Sequence, residues 1–391
     1  MPKEKFDALP QYETSPLFDE LERLVIRYAE QMTTRVQVDG GLVEALKKRL
    51  TPQQLVQLTL SIAAANFTNR FNEALGTELE VHRYPQGGAY MKVGVSLTSA
   101  HTVDDPRAGA RWMIERAAAA RKADLDSLFV GDHHATPGKY YQNVPMLGRL
   151  LAEWSDKPAG CLFLLPLWNP VLIAEQVGTL AAIMRGRFIF QCGLGDDDAQ
   201  FRAMGAQLKS RVAAFEESLS ALRRLFAGET VTASGLFSFD SARVALKPAE
   251  PVDVWIGATA PPAINRAARL GDAWLGSPGL TFTGAREKIG YYRDRCKAHG
   301  RTPGVIAIRR DVYVGESEAE AKATLEAAVT KGYRGFDPKA LVAGTVAQVT
   351  ERFRELGAMG FTDVIVRHLT TDHAKVLGSF ARLGEVRRNL S

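Results

Sequence analysis

Apolar residues recur at helical spacing through the first part of the chain and in short runs after it. Phe18, Leu21, Val25 and Tyr28 form one stripe, the period of a helix with a single buried face. Thr51-Pro52-Gln53-Gln54 opens a longer helix. Thr51 caps the backbone, Pro52 fits the first turn and Gln54 closes a capping box. Leu55, Leu58, Ile62, Phe67 and Phe71 then supply apolar contacts, and Gly76 is a fitting stop. Tyr84-Pro85-Gln86-Gly87-Gly88 reads as a linker. Residues 1–85 are therefore expected to be an all-helical appendage.

From Met91 the pattern changes. Short apolar runs predict strands at 91–97, 125–131, 159–165, 187–193, 252–256, 272–276, 305–313 and 361–366, with helical patterns between them. Residues 230–247 read as a β excursion with Gly235 at its turn. Eight βα units across 91–391 imply an α/β fold, a (β/α)8 TIM barrel. A doubly wound sheet is the alternative. It should carry Gly-x-Gly-x-x-Gly after its first strand, and Leu97-Thr98-Ser99-Ala100-His101 has no glycine.

Composition narrows the class. Hydrophobic residues make up 46% and charged residues 24%, an ordinary globular balance that excludes a disordered chain. The net charge of +5 is dispersed. Lys47-Lys48-Arg49 reads as a solvated helix end, and no nucleic-acid partner is expected. Cys161, Cys192 and Cys296 are far apart and lack a CxxC pair. That fits a reducing cytoplasm, with no disulfide framework and no zinc. The polar N-terminus shows no signal peptide, and no apolar stretch nears the roughly 18 residues of a membrane span. A cytoplasmic protein without membrane contact is expected.

On a barrel, chemistry sits at the C-terminal strand ends. Asp132-His133-His134 ends the strand at 125–131. An imidazole titrates near neutral pH and can move a proton or hold an anionic reaction centre. The alternative is a surface turn with two solvated histidines. Other strand ends are Thr98-Ser99, Leu165-Pro166, Gly193-Leu194-Gly195-Asp196, Gly257-Ala258-Thr259, Gly276-Ser277 and Arg367-His368. Ile256 to Ala263 ends a strand in small residues and starts a helix at two prolines. Free N–H groups there can cradle a phosphate, or the segment is simply a tight turn. Asn169 caps and Pro170 begins a helix. Trp168 before them is equally a packing residue or a ligand contact. Phe163, Leu165, Leu167 and Trp168 near the mouth lead us to expect a small, apolar, roughly neutral substrate.

Five landmarks in order resemble the luciferase-like flavin oxidoreductase family, covering about residues 91–388. They are Met91 to Val95, Phe129 to His134, Leu165 to Pro170 leading to Ala174-Glu175-Gln176, Gly186 to Gly195, and Ala267 to Trp274. The resemblance implies a (β/α)8 barrel that binds FMN, or the deazaflavin coenzyme F-420, at the strand C-termini. It implies redox chemistry, often insertion of one oxygen atom into a small organic substrate. By position His133 is similar to the family's active-site histidine, which stabilises a reduced flavin adduct or its proton transfers. Gly257, Ala258, Thr259 and Ala260 resemble the phosphate turn, Leu194, Gly195 and Asp196 line the cofactor, and Leu165 lies against the ring. His134 and Trp168 are placed against the substrate. Luciferase itself has Cys-Arg where this chain has Gly193-Leu194, so light emission is not expected. Cys192 should point to the strand's opposite face.

The segment Leu24 to Glu80, best at Leu50 to Leu75, resembles part of the carboxymuconolactone decarboxylase family. Its redox cysteine is absent, since no cysteine precedes Cys161. A packing or oligomerisation role follows, and a homo-oligomer is expected.

The leading expectation is an FMN-dependent monooxygenase supplied with reduced flavin by a separate reductase. The first alternative is hydride transfer with F-420, whose tail would need cations such as Arg266, Arg269 or Lys139. The others are a metal-dependent hydrolase using Asp132, His134 and His368, and a flavin-binding barrel without turnover. No bound metal is expected.

Overall fold

A computed structural model describes residues 3–35, 37–75, 91–154 and 156–390. The chain divides into two units, Met1–Tyr84 and Pro85–Ser391. The expected stop at Gly76 and the linker at 84–88 lie outside the described residues, as does the Phe71 side chain.

The first unit is helical, with its main helices at Glu20–Thr34, Gly40–Lys47 and Pro52–Leu75. Asp19 and Glu22 form a reciprocal capping box at the first. At the third, Gln54 N donates to Thr51 Oγ1 at 3.2 Å and Thr51 N to Gln54 Oε1 at 2.9 Å. Tyr28, Leu42 and Leu46 form the buried centre, with Leu21, Val25, Leu55, Leu58 and Ile62 around it. Phe67 departs from the expected stripe and is 71% exposed. Five residues past Ile62, it lies about 140° further round the helix.

The described residues of the second unit form eleven strands. They are β1 (Lys92–Leu97), β2 (Ser127–Val130), β3 (Ala159–Leu164), β4 (Phe188–Gly193), β5 (Val231–Ser234), β6 (Ser238–Ala242), β7 (Asp253–Ala258), β8 (Ala273–Gly276), β9 (Val305–Val314), β10 (Val342–Gly344) and β11 (Asp363–His368). Eight of them pair in parallel in the order β9-β11-β1-β2-β3-β4-β7-β8, and β8 pairs back to β9 to close the ring. This is the expected (β/α)8 TIM barrel. The pattern missed β10, three residues that pair in parallel beside the C-terminal end of β9, outside the ring. β5 and β6 form the β excursion as an antiparallel hairpin outside the barrel. Its turn is held by Glu217, which accepts from Leu236 N and Phe237 N.

Side chains alternate across each strand. Phe129, Ile189, Trp255, Ala273, Leu275, Ala307 and Ile365 fill the barrel interior. Val95, Val130, Phe163, Phe190, Ile256, Ile308 and Val366 face the helices. Both strand faces are therefore buried, as parallel sheets require. Cys192 belongs to the helix-facing layer, and burial pushes its thiol up. Gly160 marks a close strand contact: a Cβ there would stand 1.8 Å from the Ile189 carbonyl oxygen. No helix among the described residues is long and apolar enough to cross a membrane.

Candidate active site

The alternation that fills the barrel floor also sets its C-terminal rim. Inward positions end in Leu164 on β3, Gly193 on β4, Gly257 on β7, Ser277 after β8, Arg309 on β9 and Arg367 on β11, and the chain leaving β2 brings Gly131 and His133 to the same rim. A cavity of about 470 Å³ opens across the β3, β4, β7, β8 and β9 ends. Leu162, Leu164, Leu194 and Leu275 give it apolar walls. Gly193 and Gly257 leave the room. A Cβ on Gly257 would meet only the Cys192 carbonyl at 3.5 Å, and one on Gly193 only leucine side chains at 3.8 Å or more. Gly195 sits at φ +71°, a left-handed conformation that favours glycine.

Leu194, Gly195, Asp196, Gly257, Ala258 and Thr259 all line this cavity. Ala260 caps the helix Pro261–Leu270 beside it. Leu165 is placed differently: it is fully buried in the helix-facing layer, and its neighbour Leu164 faces the cavity. The helix start has fewer donors than the sequence suggested. Pro261 and Pro262 carry no N–H, and Ile264 N is spent on Ala260 O. The N–H groups of Thr259, Ala260 and Ala263 make no backbone hydrogen bond to any described residue. Arg211, at the start of the helix Arg211–Phe226, adds a guanidinium to the same lining. Apolar walls with three free N–H groups and a cation fit a flat ring carrying a phosphate tail. Arg266 and Arg269 are instead both paired to Glu216.

The rim at β2 is built around a buried carboxylate. Asp132 Oδ2 accepts from Leu164 N and from Trp168 Nε1, each at 2.8 Å. His134 Nε2 lies 3.2 Å from Asp132 Oδ1, and its ring meets Trp168 edge-on at 5.2 Å. His134 N donates to Gln200 Oε1 at 2.7 Å. Trp168 also packs on Phe163. These contacts fix the orientation of Trp168 and His134, and Trp168 stays half-buried, lining a separate cavity of about 370 Å³ with Leu167 and Asn169. Phe163 is fully buried, so of the four apolar residues expected at the mouth only Leu167 and Trp168 reach a cavity. His368 faces the helices, 4.5 Å from the Phe380 ring, on the face opposite the mouth. Among the described residues no three His, Cys, Asp or Glu groups come together as metal ligands.

His133 stands at the same rim, three residues past the end of β2. Its ring lies 5.7 Å from that of Tyr140. The Tyr140 hydroxyl reaches the rim, 2.7 Å from where a Cβ on Gly131 would stand. Burial pushes Tyr140 up to about 12, so its hydroxyl stays protonated at neutral pH. Sequence reasoning missed Tyr140, which sits in a loop without periodicity. It also missed Arg309 and Arg211, whose cavity positions emerge only from strand parity and helix placement. Burial and then the like charge of Arg367 push Arg309 down to about 10, still cationic at neutral pH.

Comparison with known proteins agrees with this geometry. The luciferase-like monooxygenase family profile matches residues 91–356. The F420-dependent glucose-6-phosphate dehydrogenase of Nakamurella multipartita is 29% identical over 180 residues, 44% of this chain and 53% of that protein. The match therefore spans about half of that relative's length. The enzyme of the same name from Beutenbergia cavernae is 26% identical over 67% of this chain and 88% of its own. An F420-dependent secondary alcohol dehydrogenase bound to an F420-acetone adduct superposes with TM-score 0.64 at 18% identity, covering 77% of this chain and 99% of its own. The oxygenating component of the Pseudomonas putida 3,6-diketocamphane monooxygenase, solved with FMN, gives TM-score 0.65 at 16% identity over 75% and 97%. The chain belongs to the luciferase-like monooxygenase family, a family of oxidoreductases built on this barrel.

Proposed function

We propose that this protein transfers hydride between coenzyme F-420 and a carbon of a small hydroxyl- or carbonyl-bearing substrate. One observation carries the reading. The cavity that fits a flat ring and its phosphate opens at the C-terminal strand ends of the barrel, the same rim that carries His133 and Tyr140 after β2. The relatives reported above support F-420 over FMN. The same cavity accepts FMN, and the family's name favours a second reading as an FMN monooxygenase fed by a separate reductase.

Bound F-420 supplies a two-electron hydride acceptor or donor. The protein supplies the rest. The Tyr140 hydroxyl donates a hydrogen bond to the substrate oxygen and fixes its position. The His133 imidazole takes the proton from that oxygen as hydride leaves the adjacent carbon, and returns it in the reverse direction. Arg211 and the N–H groups of Thr259, Ala260 and Ala263 hold the cofactor phosphate.

Absorbance and fluorescence titrations of the purified chain with F-420 and then FMN test this. Saturable binding of F-420 alone is expected. Binding of FMN alone replaces the proposal with the monooxygenase reading, and binding of neither overturns both.

A further inference from the structure

Two guanidiniums stand in the barrel mouth without a close ion pair to any described residue. Arg309 and Arg367 lie on adjacent strands, on the inward face of each. The Nε of each is buried without a hydrogen-bond partner. Neither forms an ion pair with any described residue. The nearest carboxylate in register is Asp311, opposite Arg367. Its Oδ2 is already committed, accepting from Tyr333 at 3.0 Å and Arg334 at 2.8 Å. Its Oδ1 is buried without a hydrogen-bond partner among the described residues, so three guanidiniums share one carboxylate.

Leaving a partly buried guanidinium short of hydrogen bonds is costly, and an oxyanion on a ligand would supply them. Arg309 also lines the cofactor cavity. Both arginines lie within electrostatic reach of Tyr140. The cationic pair therefore borders the cofactor on one side and the proton-handling residues on the other. Arg211 sits elsewhere, on a helix that follows β4, so the mouth has two separate places for negative charge.

We propose that Arg309 and Arg367 together bind an oxyanion on the substrate, a carboxylate or a phosphate, and so turn its reacting carbon toward the cofactor cavity. The proposal rests on the hydride-transfer reading and replaces the neutral, apolar substrate expected from the sequence. The planar fork of a guanidinium matches either oxyanion.

The test uses the full chain saturated with F-420, so that the cofactor's own phosphate site is filled. Sodium phosphate and sodium acetate are titrated separately by calorimetry, with ionic strength held constant by chloride. Saturable binding of at least one anion is expected, phosphate marking a phosphate-bearing substrate and acetate a carboxylate. Arg367→Gln is expected to weaken that binding at least tenfold while F-420 affinity stays within twofold. Arg309→Gln is expected to weaken both. Arg367→Met, which leaves no polar group in the same space, repeats the measurement if the glutamine variant does not fold. Absence of anion binding in the wild type, or equal binding by the Arg367 variants, overturns the proposal. Failure of the hydride-transfer reading shows separately, as failure of F-420 to bind. The anion titration then runs on the chain alone, with the same two outcomes.

Discussion

The indole N–H of Trp168 is hydrogen-bonded to the carboxylate of Asp132, Nε1 to Oδ2 at 2.8 Å. The bond ties the end of β2 to the turn after β3, and Leu164 N shares the same oxygen. Asp132→Ala leaves both donors buried without an acceptor and is expected to cost about 3 kcal/mol, roughly 5 °C in melting temperature. Trp168→Phe removes one bond and leaves Oδ2 its other donor, at a cost of about 1 kcal/mol from the lost bond. Thermal melts of both variants check the order. Equal losses would show that Trp168 acts mainly by packing.

His133→Gln removes the group placed to move the proton while leaving the cofactor cavity intact. Turnover is expected to fall roughly 10²–10⁴-fold, with F-420 affinity changed by no more than a few-fold. Steady-state rates beside a cofactor titration separate the two. Wild-type turnover in this variant would remove His133 from the mechanism.

Two glycines of the barrel should respond in opposite ways. Gly257→Val points its side chain into the cavity, where the nearest atom to the new Cβ is 3.5 Å away. The fold should persist while cofactor affinity drops roughly tenfold or more, about 1.4 kcal/mol. Gly160→Ala forces a Cβ to within 1.8 Å of a backbone oxygen, and a loss of about 3 kcal/mol or more is expected. Melting curves with and without F-420 distinguish a lost ligand from a lost fold.

Acid should find His368. Its imidazole is held to about 3 by burial, against 6.5 for the ordinary group. Between those values the unfolded chain binds the proton and the folded chain does not, so stability falls as pH drops below 6.5. The contribution lost between pH 7 and pH 5 is about 2 kcal/mol. His101, held to about 4 by burial, acts in the same direction. Asp363, raised to about 6 by burial, acts with the opposite sign between 3.8 and about 6. The readout is therefore the difference between wild type and His368→Leu in urea midpoints at pH 7 and pH 5. The variant should lose less stability on acidification, and an identical loss would discount His368.

The eight barrel strands were legible because each is a short apolar run between helical patterns, and parallel strands bury both faces. β10 was not, because three residues carry no period. Gly193, Gly257 and their neighbours were legible as small residues at strand ends. Leu165 and Leu164 were exchanged because Leu164 ends the strand and a tight turn begins at Leu165, so the last inward side chain comes one residue earlier. Arg309 was hidden by its setting. Ile306-Ala307-Ile308-Arg309-Arg310-Asp311 places an arginine on each face, and the pattern alone does not choose between them. Arg310 turns outward, is fully buried and lies 4.8 Å from the Phe282 ring.

That doubled arginine bears on how the barrel keeps its register. If β9 slid by one residue against its neighbours, Arg310 would enter the mouth where Arg309 stands, and the positive potential there would survive. The floor would not. Ala307, opposite Leu275 on one side and Asp363 on the other, would give way to an isoleucine in a closed ring already holding Trp255, Phe129 and Ile365. The helix-facing layer would receive a methyl in place of a branched chain. Charge tolerates either alignment and volume permits one, so the smallest side chain in the floor of β9 fixes which guanidinium a ligand meets.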